Sequence, residues 1–188
     1  MLSYRFNPNR YSSPVKISDF TRKDLAVLFA ELGLRRGAEI GVDAGQYSKD
    51  LCNSIPEIEI YCVDPWSPQP DYPWGAKTQE EMDDRLKRAT RRVRGFNSHI
   101  LRTTSMDAEI DGLLDFVYLD ANHIYSFVME DLEKWHAKVR PGGIVAGHDY
   151  CDRFDVIDAV HGFTALNFID EWFVTDEEYA TYFWVKRD

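Results

Sequence analysis

Acidic and histidine side chains stand at the ends of several short apolar runs in this chain of 188 residues. In sequence order they are Glu39, Asp64, Asp120 with His123, and the adjacent pair His148 and Asp149. Carboxylates accept hydrogen bonds and bind cations, and histidine is the side chain whose ordinary pKa, about 6.5, lies closest to neutral pH. These residue types predict a site that binds a polar ligand and moves a proton.

The hydrophobic pattern around these residues predicts alternating strands and helices. Short apolar runs indicate seven strands, at residues 38–42, 58–64, 99–103, 114–120, 144–147, 168–174 and 179–185, with helical spacing between most of them. A short turn at 176–178 favours an antiparallel hairpin for the last two strands. We therefore expect an α/β fold: a doubly wound, mostly parallel seven-stranded sheet with an antiparallel C-terminal hairpin. Such sheets bind ligands beyond the carboxyl ends of their strands, where the acids and histidines stand.

Length and composition limit the domain count and the function classes. At roughly 100–200 residues per domain the chain holds one domain, which we place at 18–188 after an irregular N-terminal arm at 1–17. The net charge of −10 has the wrong sign for a protein that mainly binds nucleic acid. No apolar run is long enough for a membrane span, so neither nucleic acid nor a membrane is an expected partner. The three cysteines form no disulfide or metal pattern, which favours a reducing, cytoplasmic location.

A helix predicted at 78–94 opens with acids and closes with bases. This order suits the helix dipole, and acids and bases four residues apart predict ion pairs within the helix rather than a phosphate-binding surface. The expected pairs are Glu81 with Arg85, Asp83 with Lys87 and Asp84 with Arg88.

The turn after the first strand reads Glu39-Ile-Gly-Val-Asp-Ala-Gly45, and its small residues allow a ligand to approach the backbone. A nicotinamide dinucleotide site would need Gly-x-Gly-x-x-Gly and room for a diphosphate, which the carboxylates of Glu39 and Asp43 repel. The same acids attract a ligand that carries ammonium and sulfonium groups. Asp64 ends the next strand, where it is suited either to accept hydrogen bonds from ribose hydroxyls or to form a turn before Pro65.

Segments 38–48, 63–66, 115–125, 139–150 and 182–186 together resemble the class I S-adenosylmethionine-dependent methyltransferases, and within them the branch of sugar and macrolide O-methyltransferases. The resemblance implies S-adenosylmethionine as the cofactor. It assigns the methionine portion to Glu39, Gly41 and Gly45, the ribose to Asp64, and the adenine neighbourhood to Ser105, Met106 and Asp107. Trp66 and Asp120 are placed in the cofactor site as well. Asp43 stands where the family usually has a further glycine.

Methyl transfer to an alcohol requires the hydroxyl to lose its proton to a base or beside a metal. We predict His148, His123 and Asp120 as catalytic residues. By resemblance to metal-dependent O-methyltransferases, Asp120, His148 and Asp149 are the predicted metal ligands. Carboxylates suit Mg²⁺, whereas His148, at a position that is usually acidic, also admits Mn²⁺, another transition metal or no metal.

The expected acceptor is a small molecule with a hydroxyl group, such as a sugar. Five aromatic residues are candidates either for lining its pocket or for ordinary packing: Trp66, Tyr72, Trp74, Tyr125 and Tyr150. Two alternatives stay open, a noncatalytic protein that binds an adenosyl ligand and an RNA methyltransferase, which the acidic balance disfavours. A homo-oligomer is compatible with the sequence, since the N-terminal arm is able to cover its own site or a partner's.

Overall fold

An eight-stranded sheet runs through the part of the chain that the computed structural model describes, residues 13–69 and 78–187. Its strands are β1 (Val15–Lys16), β2 (Arg36–Ile40), β3 (Glu59–Val63), β4 (Asn97–Leu101), β5 (Leu114–Leu119), β6 (Val139–Tyr150), β7 (Phe173–Val174) and β8 (Ala180–Val185). The helices of the same ranges are α1 (Arg22–Glu31), α2 (Gln46–Ser54), α3 (Gln79–Arg92), α4 (Tyr125–Lys138) and α5 (Val156–Leu166). Across these ranges, none of the helices is both long and apolar enough to cross a membrane.

The strands lie in the order β1-β7-β8-β6-β5-β2-β3-β4. All neighbours are parallel except that β8 runs antiparallel to both β6 and β7. The predicted doubly wound, mostly parallel sheet with an antiparallel C-terminal hairpin is therefore confirmed. Two cores cover its faces, with α1, α2 and α3 packed on one and α4 and α5 on the other.

The eighth strand is β1, which lies in a segment that we predicted to be irregular. Val15 donates a backbone hydrogen bond to the carbonyl of Trp172, and Ile17 donates one to Val174, both at 2.9 Å. The edge of β7 supplies these acceptors, so the prediction of an irregular arm is wrong for Val15 and Lys16, because pairing depends on a strand far along the chain.

Two other strands differ from their predicted lengths by more than two residues. The strand predicted at 168–174 is confined to Phe173–Val174, and Phe168 is 87% exposed. The strand predicted at 144–147 begins at Val139 and ends at Tyr150. The sequence Pro141-Gly-Gly, a pattern typical of a helix end, thus lies inside β6, and α4 ends before it at Lys138.

The basic helix α3 makes most of its ion pairs with other parts of the fold. Asp84 and Arg88 pair within the helix at 3.7 Å, as predicted. Asp83 instead pairs with Arg102 at 2.7 Å, and Arg85 pairs with Asp43 in the turn after β2. Packing of α3 beside that turn, which sequence spacing does not show, supplies these closer partners.

The chain order reverses between β2 and β5: β3 and β4 follow on one side of β2, whereas β5 and β6 lie on the other. Such a reversal opens a crevice at the carboxyl ends of the two central strands. Gly41 follows β2 and Asp120 follows β5 at this point. A side chain on Gly41 would collide with the backbone carbonyl of Asp120, so only glycine allows the two strand ends to approach so closely.

Candidate active site

A cavity of about 560 Å³ lies at this crevice, within the size range of pockets that hold cofactors. Its walls come from the ends of β2, β3 and β5 and from residues of α1, α2, α3 and α4. The predicted site residues among its lining are Glu39, Gly41, Asp64, Ser105, Met106, Asp120 and His123. This one cavity therefore contains most of the residues that were predicted to bind the cofactor.

The turn after β2 is held in place by Asp64. One oxygen of its carboxylate accepts hydrogen bonds from the backbone N–H groups of Val42 and Asp43, at 3.0 and 2.9 Å, and the other accepts from Trp66 at 2.7 Å. Burial raises the pKa of Asp64, and these three hydrogen bonds oppose the rise. Asp64 thus forms the turn contacts that we weighed against ribose binding, while its place in the cavity wall leaves the ribose role a prediction.

Asp43 adopts a left-handed backbone with φ of 50°, a conformation that aspartate tolerates better than most residues. It therefore takes up the conformation that a glycine would otherwise supply in this turn.

Gly45 and Trp66, both predicted to bind the cofactor, pack behind the turn and do not line the cavity. Gly45 directly precedes α2 with φ of 77°, and a Cβ there would stand 2.8 Å from the Cα of Ala89 in α3. Trp66 is fully buried, and its indole N–H donates a hydrogen bond to the carbonyl of Asp43 at 2.8 Å. Both residues shape the turn from its far side, which spacing alone did not distinguish from contact with a ligand.

Glu39 is buried beneath the glycine turn and accepts a hydrogen bond from the hydroxyl of Ser48 in α2. Burial raises its pKa well above the ordinary value, although the Ser48 bond opposes this. A cationic ligand group beside Glu39 would stabilise the ionised carboxylate. The chemistry of this wall fits the ammonium and sulfonium groups of S-adenosylmethionine.

The lining of the cavity also includes Ser105, Met106, Phe127 and Asp131. Asp131 lies on α4 and is 5% exposed, and burial raises its pKa to about 6 despite a hydrogen bond with Ser105. Asp131 was not among the predicted site residues, although an acid at helical spacing between the apolar residues Val128 and Trp135 was a signal that could have found it. Asp107 is bound to Thr104 and does not line the cavity.

Asp120, His123 and Asp149 converge where β5 and β6 end beside this cavity. The Nε2 atom of His123 lies 2.9 Å from Oδ2 of Asp149 and 3.6 Å from Oδ1 of Asp120. A bulge in β6 aims Asp149 at the cluster: the pairing of β6 with β8 shifts between Gly147 and Tyr150, and Asp149 has φ of 54°.

The charges of the cluster stabilise one another. Burial disfavours a charged His123, but hydrogen bonds and attraction from Asp120 and Asp149 outweigh it and raise the pKa of His123 to about 9. Burial likewise opposes ionisation of Asp149, yet its contacts with His123 and His148 hold its pKa well below the ordinary range. In the described ranges these three side chains can bring one ligand atom each within 4.8 Å of one another, so they fit a divalent cation. The predicted metal set contained His148 in place of His123.

His148 contacts the same carboxylates from the other side and does not line the main cavity. Its Nδ1 lies 3.4 Å from Oδ1 of Asp149 and 3.7 Å from Oδ1 of Asp120, and its Nε2 lies 3.4 Å from the guanidinium of Arg22. An arginine can only donate, so Nε2 of His148 accepts and the proton of the ring lies on Nδ1. Both ring nitrogens thus have partners, and a catalytic role for His148 stays a prediction.

Five aromatic residues were candidates for lining the acceptor pocket, and those that the structure describes do not line the cavity. Tyr72 and Trp74 lie outside the described residues. Tyr125 is 44% exposed, and the hydroxyl of Tyr150 lies 2.8 Å from Nε2 of His161. Neither of these tyrosines lines the cavity.

Residues 38–150, which include the glycine turn, Asp64 and the Asp120–His123–Asp149 cluster, match the family described as a methyltransferase domain. The chain belongs to this methyltransferase family. The resemblance to class I S-adenosylmethionine-dependent methyltransferases is thereby confirmed. Among curated proteins, none matches the sequence.

Solved structures with this fold include enzymes of different substrate classes. The O-methyltransferase of Bacillus cereus, solved with S-adenosylhomocysteine (SAH), has a TM-score of 0.63 and 16% identity, over 98% of this chain and 88% of that one. TomG of Streptomyces achromogenes, an O-methyltransferase of tomaymycin synthesis solved with S-adenosylmethionine, has a TM-score of 0.59 and 16% identity, over 87% and 78%. An rRNA methylase of Streptococcus thermophilus has a TM-score of 0.64 and 12% identity, over 92% and 99%. At such identities these likenesses show the fold alone.

Proposed function

We propose that this methyltransferase transfers the methyl group of S-adenosylmethionine to a hydroxyl group of a small-molecule acceptor. The observation that carries the proposal is the convergence of Asp120, His123 and Asp149 beside the cofactor cavity, because an alcohol needs such a group to take its proton. The net charge of −10 favours a small molecule over RNA. O-methyltransferases among the structures of this fold agree with the proposal, although rRNA methylases share the fold too.

The reaction is a direct displacement at the methyl carbon. The acceptor oxygen forms a bond to that carbon while the bond from carbon to sulfur breaks, and its electron pair stays on sulfur to give SAH. The hydroxyl proton passes to the carboxylate of Asp120, which lines the cavity, because Nε2 of His123 already holds a proton that it donates to Asp149. Glu39 and the turn behind it hold the cofactor in line, and such positioning is worth roughly 7–11 kcal/mol of the barrier.

A divalent cation at the same cluster is part of the proposal. Asp120, His123 and Asp149 would hold it, and their mixed oxygen and nitrogen atoms suit Mn²⁺ better than Mg²⁺, which prefers oxygen. Such a cation lowers the pKa of a hydroxyl that binds to it. The ligand set with His148 in place of His123 stays a prediction.

Calorimetric titration with SAH, and then with Mn²⁺ or Mg²⁺ after chelator treatment, tests both parts. We expect micromolar SAH binding, and Mn²⁺ binding that Asp149→Asn weakens at least tenfold. The matched control is Asp152→Asn, which changes an exposed acid three residues after Asp149 in the sequence. It should leave Mn²⁺ binding unchanged.

Methyl transfer is then measured as SAH release with panels of sugars, phenols and other hydroxyl compounds, and with RNA. Turnover of a hydroxyl compound supports the proposal, whereas turnover of RNA alone would assign the chain to the other substrate class. Equal Mn²⁺ affinity in wild type and Asp149→Asn would remove the metal site and leave the cofactor assignment standing.

A further inference from the structure

Arg22 is a positive charge at an unfavourable place in the fold. It is the first residue of α1, where the helix dipole disfavours a cation, and its side chain is half-buried in the wall of the cofactor cavity. Its backbone is fixed from two sides: its N–H donates to Glu177 at 2.8 Å, and its carbonyl accepts from the hydroxyl of Tyr47 at 3.0 Å. An anionic ligand group in the cavity would offset the unfavourable free energy of a positive charge at this place.

The cationic side chains that line the cavity in the described ranges are Arg22, Arg85 and His123. Arg85 pairs with Asp43, and His123 pairs with Asp149 at 2.9 Å. The guanidinium of Arg22 lies over the ring of Tyr47, 5.4 Å from its centre, forms a hydrogen bond with Tyr118, and lies 3.4 Å from Nε2 of His148. Among the described residues it forms no ion pair, and of the three it is the cation left for a ligand anion.

The neighbouring charges identify the kind of anion. The charges of Arg22, Glu39 and Asp120 act on one another, so the arginine lies at the acidic end of the cavity. An α-amino acid carries its ammonium and carboxylate on one carbon atom, and a site for it needs an acid and a base side by side. Glu39 and Asp120 supply the acidic groups. Arg22 supplies the basic group, a planar guanidinium whose paired N–H donors match the two oxygens of a carboxylate.

We propose that Arg22 binds the carboxylate of the methionine portion of the cofactor. The inference rests on the proposed S-adenosylmethionine site and names one residue within it that neither the family match nor the sequence analysis assigns. In this arrangement Arg22 is a binding residue, and it fixes the end of the cofactor farthest from adenine.

The test compares two ligands and two variants by calorimetry. SAH and decarboxylated SAH differ only in the carboxylate, and Arg22→Met removes the charge while keeping an unbranched side chain. Lys23→Met removes a positive charge from the adjacent, exposed position of the same helix turn and controls for net charge. We expect Arg22→Met to weaken SAH binding roughly 10- to 100-fold, the range for hydrogen bonds to charged groups, and to change the affinity for decarboxylated SAH less than threefold.

The two ligands separate this inference from the function on which it rests. Retained binding of decarboxylated SAH also shows that Arg22→Met is folded. Equal losses for both ligands, or unchanged SAH affinity, would overturn the assignment, and the second result would leave Arg22 to bind an acid on the acceptor. Failure of the wild-type chain to bind SAH would overturn the proposed cofactor site itself.

Discussion

Gly45→Ala is the substitution whose cost the structure defines most closely. The residue has φ of 77°, which costs an alanine roughly 1–2 kcal/mol. The new Cβ would also lie 2.8 Å from the Cα and 3.0 Å from the Cβ of Ala89 in α3, and overpacking of this kind typically costs about 1–3 kcal/mol. We expect a total loss of about 2–5 kcal/mol in the free energy of unfolding.

Gly33→Ala is the matched control. Gly33 has nearly the same backbone, with φ of 72°, but no atom lies within 4 Å of its added Cβ. Its loss should therefore be only the roughly 1–2 kcal/mol of the backbone. Urea unfolding followed by circular dichroism measures both variants, and the difference between them isolates the packing of α2 against α3.

Equal destabilisation by the two substitutions would refute the packing argument. Because Gly45 does not line the cavity, folded Gly45→Ala should bind SAH within a few-fold of wild type. A variant with unchanged stability and lost SAH affinity would instead support the role that the sequence predicts for Gly45, direct contact with the cofactor.

Two buried acids give further predictions. The sequence predicts that Asp64→Ala lowers cofactor affinity by roughly 1.5–3 kcal/mol and leaves the fold intact; the structure adds a loss of stability of about 2–4 kcal/mol, since the N–H groups of Val42, Asp43 and Trp66 lose their acceptor. Asp64→Asn should recover part of this in urea unfolding, and an unchanged unfolding midpoint in Asp64→Ala would contradict it. For Asp131, whose pKa is raised from 3.8 to about 6, folding favours the protonated acid, so its contribution to stability is lost as pH rises from about 4 to 6. Asp131→Asn should therefore gain up to about 3 kcal/mol over wild type at pH 7.5 and almost nothing at pH 3.5, and a gain that does not vary with pH would disprove this.

The element order and most of the cavity wall could be predicted because they follow from local signals. The change from strand to helical spacing locates β2, β3, β5 and β6, and parallel strands bring their carboxyl ends to one edge of a sheet. Glu39, Gly41, Asp64 and Asp120 reach one cavity for this reason alone.

Contacts between distant segments decided the rest. The bulge that turns Asp149 toward His123 depends on how β6 pairs with β8, and the edge strand at Val15 depends on β7. Gly45 packs closely against Ala89 of α3, and its contact with the cofactor stays a prediction.

The charge pattern divides in the same way. The sequence by itself determined that acids would follow the strands, and it predicted Asp120 at the edge of the sheet where the cavity lies. Only the tertiary structure showed that Arg85 pairs with Asp43 rather than within its helix, and that Arg22 enters the cavity. Side-chain spacing fixes neighbours along one element, whereas the partner of a long charged side chain is set by which elements pack together, and that depends on the burial of the whole core.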